Sequence, residues 1–123
     1  MRPLPSVLLV DDNLDTLQTL SSIMAALGAK RVREAQSAES ALEILRNESF
    51  TMIVSDYRMD GMDGVEFVEQ LRSQGHATPV LVVSGAPDKQ GVLRATRHER
   101  VDFWGKPFSV GELMGAVDRL MAA

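Results

Sequence analysis

The hydrophobic residues of the chain fall into short apolar runs separated by longer segments with a helical period. Residues 7–10, 52–54 and 79–83 are continuously apolar, which is typical of strands buried on both faces of a sheet. Residues 32–35 and 101–104 are predicted as two weaker strands. Five strands alternating with five helical segments predict an α/β fold with a parallel sheet.

Between these runs, apolar residues recur at steps of three and four, as they do in amphipathic helices. Gly28 closes the first predicted helix, Ser37 caps the second, and Ser109 with Glu112 forms a capping box at the start of the last. The fourth, over about residues 88–98, is the poorest, because Gly91 costs roughly 1 kcal/mol relative to alanine. The apolar residues that mark the other four helices are Leu14, Leu17, Leu20, Met24, Leu27; Ala38, Ala41, Leu42, Leu45; Val65, Phe67, Val68, Leu71; and Leu113, Val117, Leu120.

Polar residues stand at the ends of four predicted strands. In open α/β sheets the ligand crevice lies outside the carboxyl ends of the strands, where the strand order reverses. If the first and third strands are neighbours, three carboxylates converge there. Two carboxylates about 5 Å apart at an effective dielectric of about 20 repel by roughly 3 kcal/mol, so the cluster needs either a cation or a protonated member. The residues at the strand ends are Asp11, Asp12, Asp56, Ser84 and Lys106.

A hard divalent ion with oxygen ligands is the natural guest of such a cluster, and Mg²⁺ suits few carboxylates together with water and phosphate. A carboxylate beside Mg²⁺ and a lysine can attack phosphorus and form an aspartyl-phosphate. Phosphoryl transfer requires neutralisation of the phosphoryl oxygens, which Mg²⁺, Lys106 and the Ser84 hydroxyl could supply. The residues therefore point to phosphoryl chemistry at this edge of the sheet.

Through these residues and the motifs that contain them, the sequence closely resembles the receiver (CheY-like) domain of two-component response regulators. The resemblance covers essentially the whole chain in register, and it implies a doubly wound five-stranded sheet of order 2-1-3-4-5 with five helices. The motifs that carry it are Leu8-Leu9-Val10-Asp11-Asp12-Asn13, Val54-Ser55-Asp56-Tyr57-Arg58-Met59, Gly61-Met62-Asp63-Gly64, Val83-Ser84-Gly85 and Lys106-Pro107-Phe108.

The resemblance implies a role for each residue of the acidic cluster. Asp56 would be the phosphoacceptor, which receives a phosphoryl group from a phosphohistidine. Asp11 and Asp12 would hold Mg²⁺, or Mn²⁺ in its place, together with Asp56, and Asp12 is favoured over Asp11 as a direct ligand. Arg58 would contribute its backbone carbonyl to the metal.

The resemblance also implies switch residues. Ser84 stands where the family has a threonine or serine that moves onto the phosphoryl group, and Phe103 stands at the aromatic switch position. Lys106 would contact the phosphoryl group, and the Lys106–Pro107 bond would be cis. Because Phe103 lacks a hydroxyl, we expect its switch to work by ring packing.

Two further positions depart from the family pattern. Asp60 stands where the family usually has a proline. The aspartate makes the loop looser and adds negative charge near the site. Glu99-Arg100 replaces Gly-Ala and removes the glycine expected to cap the fourth helix. Together with Gly91, this departure predicts a fourth helix that is short or mobile.

The net charge and its distribution along the chain indicate which kinds of partner the protein binds. A net charge of −4 argues against nucleic acid as the main partner, since duplex binding requires a basic footprint. Residues 89–106 carry five basic and two acidic side chains, giving +3, so the remainder carries −7. We expect this segment to dock an acidic partner surface or a second copy of the domain, although a solvated helix flank is an equal alternative. The candidate output-face residues are Arg94, Arg97 and Arg100.

The composition indicates the cellular location in which we expect the protein to act. The chain has no cysteine, no apolar run approaching the roughly 20 residues of a membrane helix, and no secretory signal, so we expect a cytoplasmic protein. We expect one receiver domain over residues 1–123 without an output domain, either as a complete regulator or as a fragment of a longer one. Its expected partners are a histidine kinase or histidine phosphotransfer protein and a downstream protein or second copy, contacted through the fourth helix, fifth strand and fifth helix.

Two other classes of protein stay open. A haloacid-dehalogenase-type phosphohydrolase also uses an aspartyl nucleophile after its first strand, but it requires Asp-x-Asp, and the second residue after Asp12 is Leu14. A pseudo-receiver would be an interaction module that never binds phosphate. The presence of the complete acidic, hydroxyl and lysine set argues against this second alternative. We therefore expect a signalling switch that undergoes phosphorylation and slow autodephosphorylation, and no other enzyme activity.

Overall fold

The computed structural model describes residues 6–106 and 109–122, except for the side chain of residue 122. All five predicted strands and all five predicted helices are present, in the predicted order. The elements are β1 (Ser6–Val10), α1 (Leu14–Ala26), β2 (Arg31–Ala35), α2 (Ala38–Leu45), β3 (Met52–Asp56), α3 (Gly64–Ser73), β4 (Val80–Ser84), α4 (Lys89–Thr96), β5 (Val101–Gly105) and α5 (Val110–Ala122).

The five strands form one parallel sheet in the order β2-β1-β3-β4-β5, as expected from the resemblance. The order reverses between β1 and β3, which lie side by side with Val10 opposite Ser55. On the other side of β3, Asp56 lies opposite Val83 of β4. The carboxyl ends of β1, β3 and β4 therefore meet at one edge of the sheet.

Alternate residues of the central strands are buried on opposite faces of the sheet. On one face, Leu8, Ile53 and Val82 pack among residues of α2, α3 and α4. On the other face, Leu9 and Val54 pack among residues of α1 and α5. Burial on both faces explains why these strands are continuously apolar in the sequence.

Helix caps explain where most of the helices begin. Side chains of Asn13, Ser37, Asp63 and Asp88 accept backbone hydrogen bonds at the starts of α1, α2, α3 and α4. The predicted Ser109–Glu112 capping box is present at the start of α5, with both of its hydrogen bonds 3.0 Å long. A second capping box joins Asp63 and Glu66, although Asp63 reads in the sequence as a simple turn residue.

The region of α4 differs from its prediction in detail. The helix has only eight residues and ends at Thr96, two residues before the predicted end at His98, so the prediction of a short helix is confirmed. Arg100 adopts a φ of 58°, the left-handed conformation that usually favours glycine. Gly91 is buried and lies against Tyr57, so it is a packing position as well as a weak helix former.

Across the described residues, every helix is too short or too polar to cross a lipid bilayer.

Candidate acidic site at the carboxyl edge of the sheet

Three carboxylates that are distant in the sequence converge at the carboxyl edge of the sheet. Asp11 and Asp12 follow β1, and Asp56 ends β3. One carboxylate oxygen of each residue lies within 4.8 Å of those of the other two. The predicted convergence of the three acidic side chains in one pocket is therefore present.

Asp11 is held rigidly at the bottom of this pocket. Its side chain is 2% exposed, its backbone N–H donates to the carbonyl of Ala35 at 3.1 Å, and its Oδ1 accepts from the Asn13 N–H at 2.9 Å. Its Oδ2 is buried and accepts no hydrogen bond from the described residues. A buried carboxylate oxygen without a hydrogen bond is costly, so this atom is a ready ligand for a cation.

Asp56 lies between donors and other carboxylates. Its Oδ1 accepts from the Tyr57 N–H at 3.1 Å and from Lys106 Nζ at 3.3 Å. Burial, and secondly the negative charge of Asp11, raise the pKa of Asp56, while the charge and hydrogen bond of Lys106 and the hydrogen bond from Tyr57 oppose the rise. A second cation in the pocket would therefore stabilise the ionised form of this carboxylate.

Lys106 supplies the ammonium group opposite the acidic cluster. Its Nζ lies 3.3 Å from Asp56 Oδ1 and 3.6 Å from Asp11 Oδ2. Its backbone N–H donates to the carbonyl of Ser84 at 2.7 Å, which ties the end of β5 to the end of β4. This bond places the lysine stem so that the ammonium group reaches both carboxylates.

The donor set of the pocket suits a hard divalent cation. Three carboxylates face one ammonium group, so the cluster carries a formal charge of −2 when all three are ionised. All the ligands offered are oxygen atoms, which Mg²⁺ and Mn²⁺ prefer. Asp11 Oδ2, which has Lys106 Nζ at 3.6 Å but accepts no hydrogen bond from the described residues, supplies an independent reason to place a cation there. Asp60, which lies in the following loop, is exposed and does not belong to the cluster.

Ser84 ends β4 beside the pocket and is buried. Its Oγ accepts a hydrogen bond from the Ala86 N–H at 3.1 Å, which turns the chain after the strand. The position of Ser84 at the strand end agrees with the sequence expectation.

Phe103 packs against the residue that follows Asp56. Its ring meets the buried ring of Tyr57 edge to face, with centroids 5.2 Å apart and an angle of 67° between the rings. Phe103 itself is partly buried. Phe103 is thus connected through Tyr57 to the backbone of Asp56, a contact that no local sequence pattern indicates.

Arg58 contacts this aromatic group and the start of α4. Its guanidinium lies 5.2 Å from the centroid of the Tyr57 ring and donates to Asp88 Oδ2 at 3.1 Å. The other carboxylate oxygen of Asp88 caps α4 by accepting from the Gly91 N–H. The loop after Asp56 is therefore joined to the first turn of α4. Asp88 could have been recognised from its place one residue before the helical period, and Asp63 from its spacing of three residues to Glu66.

Gly64 lets α3 begin directly against the acidic strand end. A Cβ at this position would lie 2.5 Å from the Asp56 carbonyl oxygen and 3.0 Å from Tyr57 Cα. The Gly64 N–H donates to the Tyr57 carbonyl at 2.8 Å. Close backbone approach therefore requires glycine here and fixes the loop that carries Arg58.

The three arginines expected on one output face have different surroundings. Arg94 lies 3.7 Å from both Asp63 and Glu69, so it faces α3. Arg97 and Arg100 instead line a cavity near the carboxyl-terminal ends of α3 and α4. The predicted cis bond between Lys106 and Pro107 lies outside the described residues.

This combination of a doubly wound sheet, three converging carboxylates and a facing lysine defines the class of the protein. The family model of the response regulator receiver domain matches residues 7–118. The chain belongs to this family and is a receiver domain of the two-component type. Receiver domains are signalling switches that pair with histidine kinases and downstream effectors.

Curated relatives agree with this assignment. The transcriptional regulatory protein FixJ of Bradyrhizobium diazoefficiens is 34% identical over 77 residues, which cover 63% of this chain and 38% of FixJ. The DNA-binding transcriptional regulator NtrC of Escherichia coli K12 is 28% identical over 81 residues, which cover 66% of this chain and 17% of NtrC. The matched segments thus span well under two thirds of either relative.

Solved structures confirm the predicted fold. The crystal structure of FixJ-N superposes with a TM-score of 0.87 and 29% identity, covering 99% of this chain and 96% of the other. The chemotaxis protein CheY4 of Vibrio cholerae superposes with a TM-score of 0.84 and 28% identity, covering 95% and 98%.

Proposed function

We propose that this receiver domain accepts a phosphoryl group on Asp56 from the phosphohistidine of a histidine kinase or histidine phosphotransfer protein. The single observation that supports this most strongly is the setting of Asp56. Its carboxylate lies beside those of Asp11 and Asp12, with Lys106 Nζ 3.3 Å away. A carboxylate placed between a cation site and an ammonium group has the surroundings of an activated nucleophile.

The proposed transfer is a displacement at phosphorus. A carboxylate oxygen of Asp56 forms the new P–O bond, and the P–N bond to the donor histidine breaks. The electron pair of that bond leaves with the imidazole, which is released neutral once its nitrogen has gained a proton. Lys106 neutralises charge that gathers on the phosphoryl oxygens.

The residues that would hold Mg²⁺, or Mn²⁺ in its place, are Asp11, Asp12, Asp56 and the backbone carbonyl of Arg58. When bound, the ion supplies positive charge to the phosphoryl oxygens and helps to orient the phosphoryl group. The hydrogen bond from the Asn13 N–H fixes Oδ1 of Asp11, so Oδ2 would be available as a ligand.

The proposed switch uses Ser84 and Phe103. Ser84 donates its hydroxyl to a phosphoryl oxygen, and the movement of its strand end allows Phe103 to pack more deeply against Tyr57. Phosphorylation then biases the packing of α4, β5 and α5 between two states. We place the contact with a downstream protein or second copy on this α4-β5-α5 face. Arg94, Arg97 and Arg100 remain candidates for that contact, with the charge of Arg94 already shared with α3.

Phosphorylation by a small-molecule donor tests the proposal. The purified chain is incubated with acetyl phosphate and Mg²⁺, and its intact mass is recorded. We expect a gain of one phosphoryl group that requires Mg²⁺ and is absent from Asp56→Asn, with Asp60→Asn as the matched control that retains the gain.

Other outcomes identify the alternative classes. An unchanged mass in the wild-type protein under all conditions would favour the phosphate-blind interaction module. Continuous release of phosphate from simple phosphate esters would favour the phosphohydrolase.

A further inference from the structure

A second charged cavity lies at the end of the sheet opposite the acidic site. It has a volume of about 510 Å³ and is lined by Arg72, Ala77, Arg97, His98, Glu99 and Arg100. Arg72 belongs to the last turns of α3, Arg97 caps α4, and Arg100 directly precedes β5. The cavity therefore lies where the chain enters β4 and β5, away from Asp56.

Three guanidinium groups and one carboxylate line this space, which gives a formal charge of +2 with the histidine neutral. Arg72 is fixed in place because its Nη1 donates to the His76 carbonyl at 3.0 Å and its Nη2 to the Glu99 carbonyl at 2.8 Å. Burial, and secondly the positive charge of Arg100, lower the pKa of Arg72, while Glu99 opposes the effect. Like charges thus meet across the cavity.

The backbone supports a special role for Arg100. Its φ of 58° lies in the left-handed region, where a non-glycine residue strains the backbone. A glycine would adopt this conformation more readily and would remove one positive charge from the cavity. The chain nevertheless places an arginine at this strained position.

The remaining lining residues are incompletely partnered. Arg97 forms no ion pair with any acidic residue in the described part of the chain. Nε2 of His98 is buried and has no hydrogen-bond partner among the same residues. An unpaired guanidinium beside a positively charged cavity favours a ligand that accepts hydrogen bonds.

We infer that this cavity binds a small oxyanion that carries two or more negative charges, either a phosphate compound or a polycarboxylate. The planar guanidinium groups of Arg97 and Arg100 match such oxyanions, which accept two parallel hydrogen bonds from each group. The cavity volume lies within the range of about 300–1,000 Å³ that is usual for small-molecule sites. Charges gathered around one compact space suit a compact ligand more than an extended acidic peptide.

Isothermal titration calorimetry of the full chain tests the inference. Pyrophosphate and citrate are the two probes, used without Mg²⁺ at constant ionic strength, and they separate the phosphate source from the carboxylate source. We expect one equivalent of at least one probe to bind. Replacement of one charged contact should weaken binding roughly tenfold or more, so Arg97→Gln and Arg100→Gly should each show this loss.

Three variants separate the inference from other causes. Arg100→Gly also relieves the strained backbone, so it should raise the melting temperature while it weakens binding, which excludes misfolding as the reason. Arg94→Gln and Lys89→Gln, which each remove one positive charge from α4 outside the cavity, should both bind like the wild-type protein. No saturable binding of either probe at millimolar concentration, equal binding by all variants, or binding of a polyglutamate peptide alone would overturn the inference.

Discussion

The ring of Tyr57 occupies the space that a side chain at position 91 would need. A Cβ added to Gly91 would lie 2.8 Å from both Cζ and Oη of Tyr57, closer than real Cβ contacts. Since Tyr57 follows Asp56 and also packs against Phe103, this contact seats α4 on the residues that surround the acidic site.

The first prediction concerns Gly91→Ala. Helix propensity alone favours alanine by roughly 1 kcal/mol, but overpacking a closed contact costs typically about 1–3 kcal/mol. We therefore expect the substitution to lower the free energy of unfolding, as measured by urea denaturation. Gly115→Ala in α5 is the matched control, because its nearest neighbour is the end of the Arg119 side chain at 3.9 Å.

The control should show the opposite sign, with a gain of up to about 1 kcal/mol from propensity. A stabilising Gly91→Ala would mean that Tyr57 yields easily and does not hold α4 in place.

Much of the fold could be predicted because the relevant signals are local. Continuous apolar runs marked β3 and β4, and the strand ends marked Asp11, Asp56 and Lys106. The three carboxylates also converge as predicted, since parallel strands bring their carboxyl ends to one edge.

Other features depend on three-dimensional packing that no local pattern records. Gly91 reads as a helix breaker until Tyr57, 34 positions earlier, is seen against it. The sequence predicts one basic face for the three arginines of residues 94–100. Because α4 ends early and Arg100 is left-handed, Arg94 instead faces α3 while the other two line the cavity. The contact between Tyr57, which follows β3, and Phe103 of β5 likewise crosses between two strands that are not neighbours.

The second prediction concerns pH. Because the pKa of Asp56 is raised in the folded protein, the folded state binds more protons than the unfolded state between the ordinary value of 3.8 and the raised value. Stability therefore falls as pH rises through this window, and the penalty is fully present above it. Asp56→Asn removes the penalty, so in metal-free buffer we expect it to raise the melting temperature at neutral pH.

The gain should shrink as the pH is lowered below the raised pKa, where wild-type Asp56 is protonated. Asp60→Asn, an exposed change outside the cluster, should show no such trend. A gain from Asp56→Asn that stays constant down to acidic pH would contradict this explanation.

The third prediction concerns Lys106→Met. The ammonium group competes with a metal ion for Asp11 and Asp56, from which it lies 3.6 and 3.3 Å away. Its removal should tighten Mg²⁺ binding by up to about tenfold, because one like charge leaves the pocket. Titration calorimetry with Mg²⁺ measures this change, with the exposed Lys89→Met as control. Weaker Mg²⁺ binding by Lys106→Met would show that the lysine organises the site instead of competing for it.

The fourth prediction separates the two roles of Asp88. Its Oδ1 caps α4 and its Oδ2 pairs with Arg58, whose side chain is 62% exposed. Loss of a cap costs about 1 kcal/mol, whereas an exposed ion pair contributes between roughly 0 and 1 kcal/mol. We expect Asp88→Ala to lose clearly more stability in urea than Asp88→Asn, which keeps a capping oxygen. Equal losses would assign the effect to the ion pair.

The position of the phosphoryl group tests the central claim most directly. The chain is phosphorylated with acetyl phosphate and Mg²⁺, the acyl phosphate is reduced with borohydride, and the modified residue is located by peptide mass spectrometry. We predict conversion at Asp56 alone, because this carboxylate lies between the cation site and Lys106. Modification at Asp11, Asp12 or Asp60, or the absence of any acyl phosphate, would contradict the account.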